Sequence, residues 1–137
     1  GVFANNPAMC AYVDALTTAP GQPYAVLSLG TGSLIRQIPY DDARNWGIAK
    51  WAKPLLEIVF DGVSSTVDHQ LRQLLPDRYL RLQATLEPGL EAMDDTSRRN
   101  LRALRVTAEK LIADRRPELE QFLRLLVDPP AGLPLAA

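Results

Sequence analysis

Apolar residues recur at intervals of three and four positions in four segments of the chain, and this spacing predicts four amphipathic helices. The first helix is predicted to follow Asn6 and Pro7, because an Asn side chain caps backbone N–H groups and Pro suits the first helical position. The longest helix is predicted to begin at Pro54 and to end near Leu75. The four apolar stripes are Met9, Tyr12, Val13 and Leu16; Leu55, Ile58, Val59, Val63, Val67, Leu71 and Leu74; Leu101, Leu104, Ala108, Leu111 and Ile112; and Leu119, Phe122, Leu123 and Leu126.

Two other segments have the pattern of β-strands. The run 24–29 is almost continuously apolar, which is typical of a strand that helices cover on both faces of a parallel sheet. The run 79–83 alternates apolar and polar residues and predicts a strand with one apolar face. Residues 2–3 have the character of a third, truncated strand. A helix between that strand and the run 24–29, joined by short loops, is a βαβ-like beginning, so the pattern predicts an α/β fold.

Composition narrows the class of protein. The chain has 137 residues, of which 47% are hydrophobic and 23% charged, values typical of one globular domain or part of a larger one. The net charge of −1 gives no electrostatic reason to expect a nucleic-acid partner. A single cysteine, Cys10, excludes an internal disulfide framework and fits a reducing compartment, so we expect a cytoplasmic location. No metal-ligand cluster is visible, and we expect neither a metal nor a cofactor.

The turn formed by Gly30, Thr31 and Gly32 follows the first long strand directly. Glycines at the end of a strand allow a ligand or another backbone segment to approach closely. Phosphate binding is one interpretation of this turn. However, the sequence has no G-x-G-x-x-G pattern and no phosphate-loop Lys, so a structural turn near a functional site is favoured.

Three other groups of side chains have both a functional and a structural interpretation. Trp46 and Trp51 would either line an acyl pocket or contact a bilayer, or they would cover the core. His69 would be either a general base or an exposed helix residue. The arginines within 98–105 would either contact anionic lipid headgroups or form a solvated helix face. The structural interpretation is favoured for all three groups.

The residues by themselves do not predict a competent hydrolase, because the chain has no G-x-S-x-G elbow and no glycine-rich helix start that would form an oxyanion hole. Residues 1–7, GVFANNP, resemble the segment that follows the catalytic Asp in patatin-like phospholipases. Residues 27–32, LSLGTG, resemble the next strand of that family and its Gly-Thr-Gly turn. Further similarity at Trp46-Gly47, Trp51, 54–56, 67–68, 79–82 and 93–95 extends the resemblance over roughly residues 1–112.

The resemblance implies a three-layer α/β/α patatin-like sandwich, of which this chain would supply only the C-terminal portion, with a helical C-terminal extension. Residues 1–87 would belong to the α/β domain, residues 88–127 would form the helical extension, and residues 128–137 would be a flexible tail. The small number of convincing strands agrees with a fragment, because a buried strand without neighbours leaves its backbone N–H and C=O groups unpaired.

The resemblance also implies a serine acyl hydrolase that acts on phospholipids or other lipid acyl esters through a Ser–Asp dyad, without a catalytic histidine. Both catalytic residues would lie upstream of Gly1, so no catalytic residue is assigned within the chain. The expected partners are a lipid or acyl-ester substrate and the missing N-terminal part, and peripheral membrane contact is compatible with them. The alternative is a non-catalytic lipid-surface or protein-interaction module. The residues expected to support the site are Gly1, Asn5, Asn6 and Pro7, in the loop that would aim the Asp, and Gly30, Thr31 and Gly32, at the neighbouring strand end.

Overall fold

A computed structural model describes residues 3–34, 38–90, 92 and 94–127 of the chain and has helices and strands in mixed order. The mixed α/β class predicted from the sequence is therefore confirmed. The predicted strand at residues 2–3 and the predicted tail 128–137 lie wholly or partly outside the described residues. The elements are α1 (Ala8–Thr18), β1 (Val26–Leu29), α2 (Tyr40–Ala43), α3 (Ile48–Leu74), β2 (Tyr79–Leu82), α4 (Arg98–Asp114) and α5 (Arg116–Val127).

Strands β1 and β2 form a parallel pair, in which Val26 lies opposite Tyr79 and Leu29 lies opposite Leu82. Helices α2 and α3 connect them, as parallel neighbours require a long crossover. The pairing continues beyond the strands, because the N–H of Gly30 donates to the carbonyl of Leu82 at 2.8 Å. The sheet therefore carries the Gly-Thr-Gly turn at the carboxyl end of its strands.

Helices cover both faces of β2, whereas the expectation that both faces of β1 are covered is wrong, since Leu27 and Leu29 are 40% and 69% exposed. Because successive strand residues point to opposite faces, Tyr79 packs against α1 and α3, whereas Leu80 and Leu82 pack against α5. One core cluster contains Ala8, Tyr12, Leu71, Leu75 and Tyr79, and the other contains Leu80, Leu82 and Phe122. The two clusters fix the helices to the two strands from opposite sides.

Helix α1 starts as the sequence predicts, within one residue. The Oδ1 atom of Asn6 accepts a hydrogen bond from the N–H of Ala8 at 3.2 Å, and the carbonyl of Pro7 accepts from the N–H of Ala11 at 2.9 Å. Regular helix begins at Ala8 and Pro7 takes the N-cap position, so the predicted N-cap at Asn6 is wrong by one residue, although the Asn6 side chain still accepts from the first helical N–H. These two hydrogen bonds attach the Asn5–Pro7 segment to the start of α1.

The predicted start of α3 at Pro54 is wrong. The helix begins at Ile48 after Gly47, whose carbonyl accepts from the N–H groups of Lys50 and Trp51 at 3.0 and 3.3 Å. Pro54 lies inside the helix, in its second turn, where it removes one hydrogen bond and its ring crowds the carbonyl of the preceding turn. The Trp46–Trp51 segment is therefore partly helical.

The end of α3 also departs from the predicted periodicity. Leu74 was expected on the apolar face, but it is 55% exposed, whereas Leu75 is only 1% exposed. The backbone of Leu75 leaves the helical conformation, with φ −133° and ψ 59°, while its N–H still donates to the carbonyl of Leu71 at 2.9 Å. This change of direction turns the side chain of Leu75 into the core.

The two C-terminal helices pack on the sheet and on each other. Ser97 caps α4, because its Oγ atom accepts from the N–H of Asn100 at 3.2 Å, and the carboxylate of Asp95 accepts from the N–H of Ser97 at 2.9 Å. Phe122 of α5 reaches the face of β2. The predicted boundary between residues 87 and 88 stays a prediction. None of the helices in the described part of the chain is both long and apolar enough to cross a membrane.

Candidate functional site

Asn6 is a buried polar residue at the entrance to α1, only 2% exposed. Its Nδ2 atom donates to the carbonyl of Ser64 in α3 at 3.3 Å. Its Oδ1 atom accepts from the N–H of Ala8 at 3.2 Å and from the hydroxyl of Ser28 in β1 at 3.4 Å. Since buried amides are stable only when hydrogen-bonded, these contacts fix the segment that the sequence singled out.

Arg81 lies on the same face of the sheet, in β2, opposite Ser28 in the strand register. Its guanidinium donates through Nη1 to the Oγ atom of Ser28 at 2.6 Å and through Nη2 to the Oγ atom of Ser64 at 3.2 Å. A third, longer contact reaches the Oε1 atom of Gln83 at 3.4 Å. Ser28 and Ser64 therefore connect Arg81 to Asn6.

The turn after β1 packs tightly against the next strand and loop. A side chain at Gly30 would collide with the amide of Gln83 and would lie 3.0 Å from Nη2 of Arg81. Gly32 has φ +104°, and a Cβ atom there would lie 2.6 Å from the side chain of Leu86. Close packing therefore explains why both positions are glycine, which supports the interpretation of this segment as a structural turn beside the cluster.

The remaining predicted site residues contribute less. Asn5 is exposed and donates through Nδ2 to the carbonyl of Phe60 in α3 at 3.2 Å. Pro7 opens α1, and Thr31 is exposed. Gly1 lies outside the described residues. The structure thus brings Asn6 and Gly30 to one polar cluster, to which Asn5 adds a second anchor on α3.

A polar cleft of about 410 Å³ opens beside Arg81. Within it, Asp68 accepts from the phenol of Tyr79 and from Nε of Arg72, both at 2.9 Å. Burial raises the pKa of the Tyr79 phenol above its ordinary value, and the hydrogen bond to Asp68 acts in the same direction. The charged and hydroxyl residues that line the cleft include Asp61, Ser64, Asp68, Arg72, Arg81 and Arg115.

These side chains do not make a nucleophile and base pair. The hydroxyls of Ser28 and Ser64 both accept from the guanidinium of Arg81, which has no acceptor atom and therefore cannot remove a proton from them. His69 is exposed on α3, as the sequence predicts. In the described part of the chain no group of three or more His, Cys, Asp or Glu side chains could hold a metal ion.

The side chains considered for lipid contact have other neighbours. Trp46 and Trp51 are half-buried and pack edge to face, with ring centroids 5.2 Å apart. The arginines of α4 are exposed, and Nε of Arg105 lies 2.8 Å from Oε1 of Glu109. A solvated helix face, which the sequence favours, accounts for these arginines.

The comparisons with known proteins agree with the resemblance in the sequence. Patatin-like protein 1 of Oryza sativa subsp. indica is 32% identical over 142 residues, covering 84% of this chain and 34% of that protein. The chain is patatin-like. Patatin-like protein 6 of Arabidopsis thaliana is 28% identical and covers 89% of this chain, and patatin-like protein 1 of the same plant is 30% identical and covers 67% of it. No family model matches. The chain spans about a third or less of the length of these patatin-like relatives.

Sequence reasoning missed Ser64 and Arg81, which complete the cluster in this patatin-like chain. Arg81 carried a signal, because it is the charged residue in the short strand Tyr79–Leu82. The alternating pattern assigns such a residue to the solvent, whereas helices cover both faces of the observed strand β2. A charged side chain on a covered strand requires specific partners, and that requirement would have identified Arg81.

Proposed function

We propose that this chain is the C-terminal part of a patatin-like acyl hydrolase that cleaves acyl esters of lipids. The catalytic Ser and Asp belong to the segment upstream of Gly1, with the Asp directly before the loop that Asn6 anchors. Similarity to patatin-like proteins over most of this chain, and over a third or less of their length, supports the proposal. In the longer protein further strands extend β1 and β2 into a three-layer α/β/α sandwich.

The observation that carries the proposal is the anchoring of Asn6. A catalytic carboxylate just before this loop needs a backbone that is held within about 0.5 Å of the productive position. The three hydrogen bonds of the buried Asn6 side chain tie the loop to α1, β1 and α3. The loop is thus held at the carboxyl-end half of the sheet, where open α/β sheets place their sites.

The proposed reaction divides the work between the two parts of the protein. The upstream Ser hydroxyl attacks the acyl carbonyl while the Asp carboxylate accepts its proton, and the alcohol leaves with a proton. Water then releases the acyl group as a carboxylic acid. The residues of this chain hold the loop and take no part in bond making or breaking.

Two forms of the protein test this proposal, the chain 1–137 and the product of the complete gene. With p-nitrophenyl butyrate as substrate, the complete protein should hydrolyse the ester and the chain 1–137 should not exceed the buffer rate. Changing the Asp expected directly before Gly1 to Asn in the complete protein should remove at least about 99% of kcat, as loss of a catalytic base does. Turnover by the chain 1–137, or an inactive complete protein, would contradict the proposal.

A further inference from the structure

We propose that Arg81 is a positioning residue that orients the Ser28 hydroxyl toward the Asn6 side chain and thereby helps to hold the loop before α1. Its effect on catalysis rests on the proposed function, because only then does the loop carry a catalytic group. The geometry around Arg81 does not depend on that assignment. Effects on loop structure and on catalysis can therefore be tested separately.

The hydrogen bonds close a ring through four parts of the fold. Arg81 in β2 donates to Ser28 in β1 at 2.6 Å, and Ser28 lies 3.4 Å from Oδ1 of Asn6. Asn6 donates to the carbonyl of Ser64 in α3 at 3.3 Å, and the Oγ atom of Ser64 accepts from Arg81 at 3.2 Å. Arg81 donates to both Ser28 and Ser64 and thereby closes the ring.

The chemistry of Arg81 and that of two backbone groups determine the directions of the bonds in this ring. A guanidinium has donors and no acceptor, so the Oγ atoms of Ser28 and Ser64 must both accept from it. The single proton of Ser28 is then free to point at Asn6, whose Oδ1 atom accepts it. The Nδ2 end of Asn6 faces the carbonyl of Ser64, which can only accept, and its Oδ1 end faces the N–H of Ala8, which can only donate.

Burial makes this direction costly to change. Asn6 is 2% exposed and Ser28 is 5% exposed, so water cannot replace a lost partner freely. The contact between Nη1 of Arg81 and Oγ of Ser28 involves a charged donor, and such hydrogen bonds are about twice as strong as neutral ones. Without Arg81 the hydroxyl of Ser28 gains a choice of orientations, and the Oδ1 atom of the buried Asn6 loses a fixed donor.

A lysine cannot fully replace this arginine. The planar fork of Arg81 presents Nη1 to Ser28 and Nη2 to Ser64 at the same time. The Lys ammonium is a compact point donor and lacks the planar fork that bridges both hydroxyls, although it can retain one contact and the positive charge. Arg81→Lys should therefore keep part of the effect, whereas Arg81→Met keeps the stem and loses every donor.

Amide hydrogen exchange of the chain 1–137 tests the structural part of the proposal. The N–H of Ala8 reports directly on Asn6, since Oδ1 of Asn6 is its acceptor. In Arg81→Met we expect exchange at Ala8 to be at least about tenfold faster, which corresponds to about 1.4 kcal/mol in the opening equilibrium. Arg81→Lys should fall between this variant and the wild type. Arg102→Met, which removes an exposed arginine of α4, is the matched control and should not change the rate.

Kinetics of the complete protein with p-nitrophenyl butyrate test the catalytic part. Because misplacement of a catalytic group by about 1 Å costs about 100-fold, we expect Arg81→Met to lower kcat by roughly 10- to 100-fold. The KM should stay within about twofold, since Arg81 acts through the loop and not on the substrate. Arg81→Lys should restore part of kcat. A general loss of stability, which would only reduce the fraction of folded protein, does not predict this recovery.

The outcomes separate the two proposals. Unchanged exchange at Ala8 in folded Arg81→Met overturns the positioning role, and so does faster exchange with an unchanged kcat. An inactive wild-type complete protein overturns the proposed function, and the exchange rate then decides the structural role of Arg81. If Arg81→Met does not fold, Arg81→Lys must show faster exchange at Ala8 than the wild type, or the role is refuted.

Discussion

Two leucines of α3 test how this fold is held together. Leu71 has no exposed surface and lies in the core cluster with Ala8, Tyr12 and Tyr79, where α1, α3 and β2 meet. Leu74, one turn further along the same helix, is 55% exposed. The helical spacing of the sequence places both on one apolar face, whereas the structure gives them opposite environments. Changing each to Ala measures the difference.

The expected magnitudes follow from these exposures. Truncation of a fully buried Leu removes about 2 kcal/mol of transfer free energy and leaves a cavity, so Leu71→Ala should lower the free energy of unfolding by about 3 kcal/mol. Leu74→Ala loses less than half of that transfer free energy and creates no closed cavity, so we expect a loss of about 1 kcal/mol or less. The difference of about 2 kcal/mol is roughly a 30-fold change in the unfolding equilibrium.

Urea unfolding of the chain 1–137, followed by circular dichroism of its helices, measures both variants against the wild type. The midpoint should fall strongly for Leu71→Ala and only slightly for Leu74→Ala, with unchanged slopes. Equal losses for the two variants would refute the reasoning, because they would mean that Leu74 is as well packed as Leu71.

Two further predictions concern the turn and the polar cleft. Gly32→Ala should lower the free energy of unfolding by more than Gly21→Ala in the same urea assay, because both glycines have positive φ, but a Cβ atom meets Leu86 only at Gly32 and open space at Gly21; equal losses would show that Leu86 yields. The raised pKa of Tyr79 means that the folded state holds the phenol proton more tightly than the unfolded chain, so this contribution to stability is complete below about pH 10 and falls as the pH rises through the folded pKa. The stability of the wild type relative to Tyr79→Phe should therefore decline above about pH 10 in unfolding curves at several pH values, and a constant difference would contradict it.

The elements could be predicted where local sequence determines them. Residue spacing and short-range hydrogen bonds predict the cap formed by Asn6 and Pro7, the two strands, and the two C-terminal helices. The start of α3 could not be predicted, because Pro54 has the preference of a first helical residue, whereas the helix begins at Ile48 and contains Pro54 in its second turn. The burial of the Leu75 side chain could not be predicted, because it depends on the backbone conformation after the helix end.

The candidate site could be predicted only in part, for a physical reason. Asn6 was identified as a cap, which is a local role, and its Oδ1 atom performs that role on Ala8 two residues away. Its other partners, Ser28 and Ser64, are 22 and 58 residues away, and Arg81 reaches Ser28 across 53 residues. Such pairings depend on the register of β1 with β2 and on the seating of α3, neither of which is contained in the pattern of a single segment.

The glycine turn and the helix cap could be recognised in the sequence, whereas the connection between them could not. A glycine turn and a helix cap are specified by backbone conformation, so their residues can be recognised without knowing what they contact. The connection between them is made by Ser28 and Arg81, whose side chains face helices that cover the sheet. A strand arginine in a covered sheet must find hydrogen-bond acceptors, and here the acceptors are the hydroxyls of Ser28 and Ser64, the two residues whose hydroxyl and backbone carbonyl, respectively, bond the Asn6 side chain. The loop is therefore positioned by the sheet through Arg81, and not by its own cap alone.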